Sequence, residues 1–330
     1  MSALQRDMMT KMLPPKSIPG VQKKLPLNRS FIPLPWREFF DSRTTVNIDG
    51  DEFNVYLKGT TGPVFYMLHG GGYSGLTWSC LAKELLARID CRVVAPDLRG
   101  HGDTKCTEEE ALSTERQIDD IARILSSLFP SSSTEEPAPV IFVGHSMGGA
   151  LAAHCVRKLG NHDKGDAVSG TNIVGLVVID VVEGTAMEAL SMMSTFLRSR
   201  PAHFDSEEAA VKWCLTSGTV HNSTSARVSM PAQVRRREDG KFHWRINLLR
   251  SQPHWEGWFK GLSSTFLSCS APKMLIGQMQ GKFQTTVLPR VGHAVQEDSP
   301  DRLADELARF ATRYKLATAK GGLVFHPPMC

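Results

Sequence analysis

The residues around position 146 constrain this chain more than any other stretch. Gly144-His145-Ser146-Met147-Gly148-Gly149 follows a short apolar run, Val140–Val143, and opens a segment with helical spacing, Met147–Leu159. A serine flanked by glycines between a buried strand and a helix reads as a nucleophile elbow. The turn is tight and strained, only small neighbours fit, and the serine hydroxyl is lifted above the sheet. The following helix directs the partial positive charge of its N-terminus at the same spot.

The pattern on either side supplies a sheet to carry that elbow. Thr45–Ile48 and Phe53–Leu57, split by Asp49-Gly50, read as an opening hairpin. Val64–Leu68, Cys91–Ala95, Val174–Ile179, Lys273–Ile276 and Thr285–Leu288 are predicted strands. Trp78–Ile89, Thr114–Phe129 and Arg302–Tyr314 are predicted helices, the second with Thr114-x-x-Gln117 as a capping box. Short apolar strands alternating with helices predict an α/β fold with a doubly wound, mostly parallel sheet. Residues 184–270 break the rhythm and are rich in Met (187, 192, 193, 230) and Trp (213, 244, 255, 258). They predict a helical cap inserted between a first core part, 31–183, and a second, 271–330. The large side chains would form the cap's own core or line a substrate groove.

Composition excludes other classes. The 330 residues are 41% apolar, enough for a sizeable core. The net charge is +4, but Arg6, Lys11, Lys16, Lys23, Lys24 and Arg29 against Asp7 place +5 in the first thirty residues. Residues 1–30 therefore read as a disordered basic leader, and the near-neutral remainder argues against nucleic-acid binding. No apolar run reaches the roughly 18–20 residues of a membrane span, and the N-terminus lacks the apolar core of a secretory signal. Seven scattered cysteines without a C-x-x-C point to buried thiols in a reducing compartment. No metal-binding or nucleotide-binding motif is present, so neither a metal nor a cofactor is expected.

A nucleophilic serine needs an oxyanion hole, a base and an acid. His69-Gly70-Gly71-Gly72 follows the strand Val64–Leu68, and N–H groups of Gly71 and Met147 are the chosen oxyanion donors. His293, in Val291-Gly292-His293-Ala294 between a strand and a helix, is the candidate base. Asp180 ends the strand Val174–Ile179 and is the candidate acid, with Glu183 as the alternative. Many folds of this type carry the acid after the next strand, but Gly277–Gln284 contains none. That stretch is also short for a parallel crossover, which takes about a dozen residues. Asp97, in Asp97-Leu98-Arg99-Gly100-His101-Gly102, reads as a structural turn. Arg227, Trp255 and Trp258 are candidate substrate contacts.

With these residues in view the chain resembles the protein phosphatase methylesterases of the α/β-hydrolase superfamily from about Pro33 onward. Leu68–Gly72 and Gly144–Ala150 carry the resemblance, though the elbow alone belongs to the whole superfamily. Ser225–Met230, Trp255–Leu262 and Gly292–Val295 also carry it, and Ile179-Asp180-Val181-Val182-Glu183-Gly184-Thr185-Ala186-Met187 and Gly277–Gln284 are far more specific. The resemblance implies an α/β-hydrolase fold and a Ser146–Asp180–His293 triad. It implies removal of the methyl ester from the C-terminal leucine of the protein phosphatase 2A catalytic subunit. It also implies stable association with that phosphatase in a cytosolic and nuclear setting. The family pattern has about a dozen more residues between Ile276 and Gly277. Two alternatives follow: a general carboxylesterase or thioesterase, and a phosphatase-binding isoform impaired in catalysis by the short segment at Ile276–Gly277.

Overall fold

The computed structural model describes residues 30–130, 136–160, 172–276, 284–286, 288 and 291–320. The expected leader, apart from Ser30, and the segment Gly277–Phe283 lie outside the described residues. The strands β1 (Ser42–Ile48), β2 (Asp51–Lys58), β3 (Val64–Leu68), β4 (Arg92–Pro96), β5 (Pro139–His145) and β6 (Asn172–Ile179) belong to one sheet. Two later strands complete it, in the order β1-β2-β4-β3-β5-β6, then Lys273–Ile276 and Gln284–Thr286. The β1–β2 and β2–β4 pairs are antiparallel and all the others parallel, so the opening hairpin and the mostly parallel sheet are as the sequence predicts. Asp49 and Gly50 both take positive φ, 50° and 89°, in the two-residue β1–β2 turn. That is the backbone such a turn requires to match the twist of its strands.

The central strands read as unbroken apolar runs because both faces are covered. Val64, Tyr66 and Leu68 of β3 enter one core, while Phe65 and Met67 enter the other. Val140 and Phe142 alternate with Ile141 and Val143 on β5 in the same way. The first face packs against α2 (Thr114–Leu128) and α3 (Met147–Gly160); the second packs against α1 (Ser79–Arg88) and a C-terminal helix, Pro300–Arg313. The cap of α2 differs from expectation. Ser113, not Thr114, accepts from the Arg116 N–H at 3.2 Å. Thr114 instead donates to Gly257 O, and Gln117 donates to Leu112 O.

The region expected as a helical cap holds α4 (Glu183–Ser199), α5 (Glu207–Thr216), α6 (Ser223–Ser229), α7 (Gln252–Phe259) and α8 (Leu262–Ser268). It also contains a small antiparallel sheet that the reading as helices alone did not include: β7 (His203–Phe204), β9 (Phe242–Trp244) and β8 (Val234–Arg236), in that order. The strands are two or three residues long, too short to show an alternating pattern. The β8–β9 hairpin turns through Asp239-Gly240, with Gly240 at φ 77°. The large side chains divide as the two readings allowed. Met230 packs in the cap's own cluster, whereas Trp255, Trp258 and Phe259 join the core over the sheet. The remaining elements are β10 (Lys273–Ile276), β11 (Gln284–Thr286), α9 (Val295–Asp298) and α10 (Pro300–Arg313). No helix among the described residues is long and apolar enough to cross a membrane.

Candidate active site

In the sheet order, β3 stands between β4 and β5, so the chain winds in both directions from it. Crevices at such switch points, beyond the carboxyl ends of the strands, are where open α/β sheets gather ligands. The loop after β3 and the turn after β5 meet there. Ser146 occupies the turn with φ 52°, a left-handed conformation rare for a non-glycine residue. The turn tolerates no side chain at its flanks. A Cβ on Gly144 would lie 2.1 Å from Gly148 O, and one on Gly148 would lie 2.2 Å from Leu68 O. Ser146 N–H donates to Ile179 O at 3.0 Å, tying the turn to the end of β6.

Asp180 is the next residue after β6 and also takes a positive φ, 50°. Its N–H donates to Ile276 O, the last carbonyl of β10, at 2.8 Å. One carboxylate oxygen accepts from His293 Nδ1–H at 2.8 Å. That bond fixes the tautomer and leaves Nε2 with its lone pair. Glu183, the alternative acid, is engaged elsewhere. It opens α4 and accepts from the N–H groups of Gly261 and Ser263, at 2.8 and 2.9 Å, which hold its carboxyl below its ordinary value.

The His293 loop is held at three points. His145 Nε2–H donates to His293 O at 2.8 Å. Asp298, almost fully buried, accepts from Gly292 N–H at 2.7 Å and also binds the N–H and the ring of His221. Glu297 is fully buried and contacts the hydroxyls of Thr77 and Ser229 at 2.5 and 2.8 Å. Burial raises its carboxyl to about 8, so it is largely protonated at neutral pH.

The loop after β3 is wired by two neutral histidines. His69 Nε2 accepts from Leu98 N–H, and its Nδ1–H donates to Gly70 O. His101 Nε2 accepts from Gly72 N–H at 2.9 Å. Burial pushes His69 well below its ordinary value and His101 down to about 4, so both stay uncharged as these bonds require. Gly72 N–H is thus taken by His101, and Tyr73 N–H by Gly70 O at 3.2 Å. Gly71 precedes both and borders the same cavity as Met147. Asp97 accepts from Gly75 N–H, Asp103 N–H and the Asn54 amide, matching its expected role in a turn.

Ser146, Met147, Gly71 and His293 line a cavity of about 140 Å³. Its walls are largely apolar and include Trp255 and Trp258, two of the three expected substrate contacts. Their indole N–H groups are already used, on Ser251 and on Leu112 O, so they offer the cavity only apolar surface. Arg227 is not brought to the cavity. It donates to Ile32 O at 2.7 Å and holds the segment before β1. Sequence reasoning missed Arg200 and Tyr73, both in the cavity wall, and the bond from His145 to the His293 loop. Neither Arg200 nor Tyr73 carries a motif. The position of His145 next to Ser146 was the one available signal. Among the described residues, no group of three or more His, Cys, Asp or Glu side chains converges as a metal site would.

The model of the alpha/beta hydrolase family matches residues 65–306. A Caenorhabditis elegans protein named probable protein phosphatase methylesterase 1 is 55% identical over 313 residues, covering 91% of this chain and 83% of its own. The mouse protein phosphatase methylesterase 1 is 38% identical, covering 92% and 90%. That alignment runs to 361 positions, more than the 330 of this chain, so the mouse protein carries residues that this one lacks. The protein of that name from Schizosaccharomyces pombe is 36% identical, covering 87% of each chain. Among solved structures, E-2-(acetamidomethylene)succinate hydrolase superposes with a TM-score of 0.66 at 19% identity, covering 82% of this chain and 99% of its own. A Mycobacterium tuberculosis esterase superposes with a TM-score of 0.60 at 22% identity, covering 82% and 92%.

Proposed function

Since this chain belongs to the protein phosphatase methylesterases, within the α/β-hydrolase family, we propose that it demethylates the C-terminal leucine methyl ester of the protein phosphatase 2A catalytic subunit. The observation that carries this reading is the Asp180–His293 bond of 2.8 Å beside a cavity shared by His293 and a left-handed Ser146. Ser146 Oγ attacks the ester carbonyl while His293 Nε2 takes its proton. Asp180 holds the imidazole and stabilises the imidazolium. The N–H groups of Met147 and Gly71 receive the oxyanion. The tetrahedral adduct collapses, His293 protonates the departing methoxide, and methanol leaves. A water molecule, deprotonated by His293, then attacks the acyl group on Ser146. The leucine carboxylate leaves and the serine is restored. A cytosolic and nuclear setting is part of this proposal.

One observation favours a second reading. The neighbouring parallel strands β10 and β11 are joined by only seven residues, 277–283, where a crossover normally takes a dozen or more. β11 leads to the His293 loop, and a displacement of about 1 Å there can cost roughly 10²-fold in rate. In that reading the chain binds the phosphatase but turns over poorly.

The test is loss of carboxyl-methyl from methylated phosphatase 2A catalytic subunit, with a Ser146→Ala protein alongside. Serine-dependent loss supports demethylation. Retained binding of the phosphatase without loss supports the second reading. Loss that persists in the Ser146→Ala protein excludes the proposed mechanism.

A further inference from the structure

Arg200 is the side chain in the cavity wall that the mechanism leaves unused. It follows the last residue of α4, whose Leu190, Met193, Phe196 and Leu197 form one side of the cavity. Its guanidinium carbon stands 4.0 Å from the centre of the Trp244 ring. That indole is fixed by its own bond to Pro201 O at 2.7 Å, and it packs edge-on against Trp213 and Phe204. Arg200 is therefore held in place at the cavity wall.

Two other arginines with little-exposed side chains are paired. Arg99 binds Asp51 and Asp120, and Arg245 binds Glu109 and two main-chain carbonyls. Arg200 has no such partner. Its Nε is buried without an acceptor, and no hydrogen bond or ion pair engages its guanidinium among the described residues. Burial lowers its pKa to about 10, which still leaves it charged at neutral pH. Among the described residues, no aspartate or glutamate lines the cavity, and Arg200 is the one permanently charged side chain in its wall. The Trp244 face compensates part of its desolvation, but a guanidinium fork is best matched by a carboxylate.

We propose that Arg200 binds a carboxylate of the substrate, so that the site selects esters borne on acidic peptides. This rests on the hydrolase reading above for what the substrate is. The carboxylate is not the reacting carbonyl. Tyr73 also lines the cavity, with its ring edge-on against His145 at 5.6 Å. The reacting group is an uncharged ester, so the recognised acid is a side chain elsewhere on the peptide. An apolar residue bearing the ester would fill the space lined by Met193, Phe196 and Leu248.

The test separates binding from turnover. Affinities for a Ser146→Ala protein are measured with two peptides ending in leucine methyl ester, one with a glutamate upstream and one with glutamine there. The free acid of the glutamine peptide is the third ligand. The acidic ester is expected to bind about 10–100-fold more tightly than the neutral one, as a charge-assisted bond allows. Adding Arg200→Met is expected to abolish that ratio while leaving the neutral ester within about threefold. Arg200→Lys is expected to keep part of the ratio. Equal binding of the two esters overturns the proposal, as does an equal loss of both in Arg200→Met. Arg200-dependent preference for the free acid also overturns it, because the cation would then serve the product. With Ser146 intact, the same ratio is expected in kcat/KM. Selective binding with no hydrolysis of any ester would count against the hydrolase reading and leave the Arg200 assignment standing.

Discussion

His145 Nε2–H donates to the main-chain carbonyl of His293 at 2.8 Å, with the two rings 4.6 Å apart. The residue before the nucleophile thus holds the loop that carries the candidate base. Burial pushes His145 down to about 3, which keeps a second cation away from His293. His145→Ala is expected to lower kcat for methyl-ester hydrolysis about 10²-fold with little change in KM, since only the placement of the base is lost. Steady-state kinetics beside a circular dichroism spectrum check this. An unchanged kcat in a folded protein would remove His145 from the positioning scheme.

The two candidate acids make opposite contacts, so their variants should separate cleanly. Asp180→Asn is expected to reduce kcat by about 10³–10⁴-fold, because an amide favours the wrong imidazole tautomer. Glu183→Gln keeps an acceptor for Gly261 or Ser263 N–H and is expected to retain most activity. Reversal of these two outcomes would reassign the acid.

Asp298 acts one residue away from His293, through Gly292 N–H. Asp298→Ala is expected to reduce kcat by about 10–100-fold. His221→Ala, which leaves the Gly292 bond in place, is expected to stay within about threefold. A similar loss in both would mean that the His221 contact is required as well.

Glu297 sets a pH dependence of stability. Its carboxyl is raised from an ordinary 4.5 to about 8, by burial first. The unfolded chain releases this proton near pH 4.5 and the folded chain near pH 8. Over that window the folded state binds more protons, so this group's contribution falls as pH rises and is flat above about 8. Glutamine resembles the protonated acid and can still contact the Thr77 and Ser229 hydroxyls. Glu297→Gln is expected to match the parent near pH 4 and to exceed it at pH 8 by a margin on the order of a few kcal/mol. Denaturant titrations across that range check it. A constant difference between the two proteins would exclude a protonated Glu297. The neutral His69, His101 and His145 add a separate loss below about pH 6.5, which cancels in this comparison.

The short β10–β11 connection is testable by lengthening it. Insertion of about a dozen residues between Ile276 and Gly277 supplies the length of an ordinary parallel crossover. If the connection displaces the His293 loop, the longer protein is expected to show a higher kcat toward the methylated phosphatase. Equal rates would mean that the short connection is tolerated.

Most strands of the sheet and the order of the candidate groups along the chain were legible before any folding. Val64–Leu68 and Lys273–Ile276 were readable to the residue, because strands buried on both faces leave short, unbroken apolar runs. Ser146, Asp180 and His293 were readable because each sits at the end of such a strand or on a short loop beside one. The cap of α2 was misread by one residue, since Ser113 and Thr114 are both hydroxyl residues and only the backbone conformation decides between them. The cap's small sheet was missed, although Asp239-Gly240 marked its hairpin, because two- and three-residue strands have no period. Tertiary structure brought Asp180, the acid the sequence favours over Glu183, within 2.8 Å of His293. It alone turned Arg227 away from the cavity and placed Arg200 in its wall. Those outcomes depend on which N–H groups, rings and carbonyls lie across space from a side chain. Residues 113 positions apart, as Asp180 and His293 are, leave no local pattern of that.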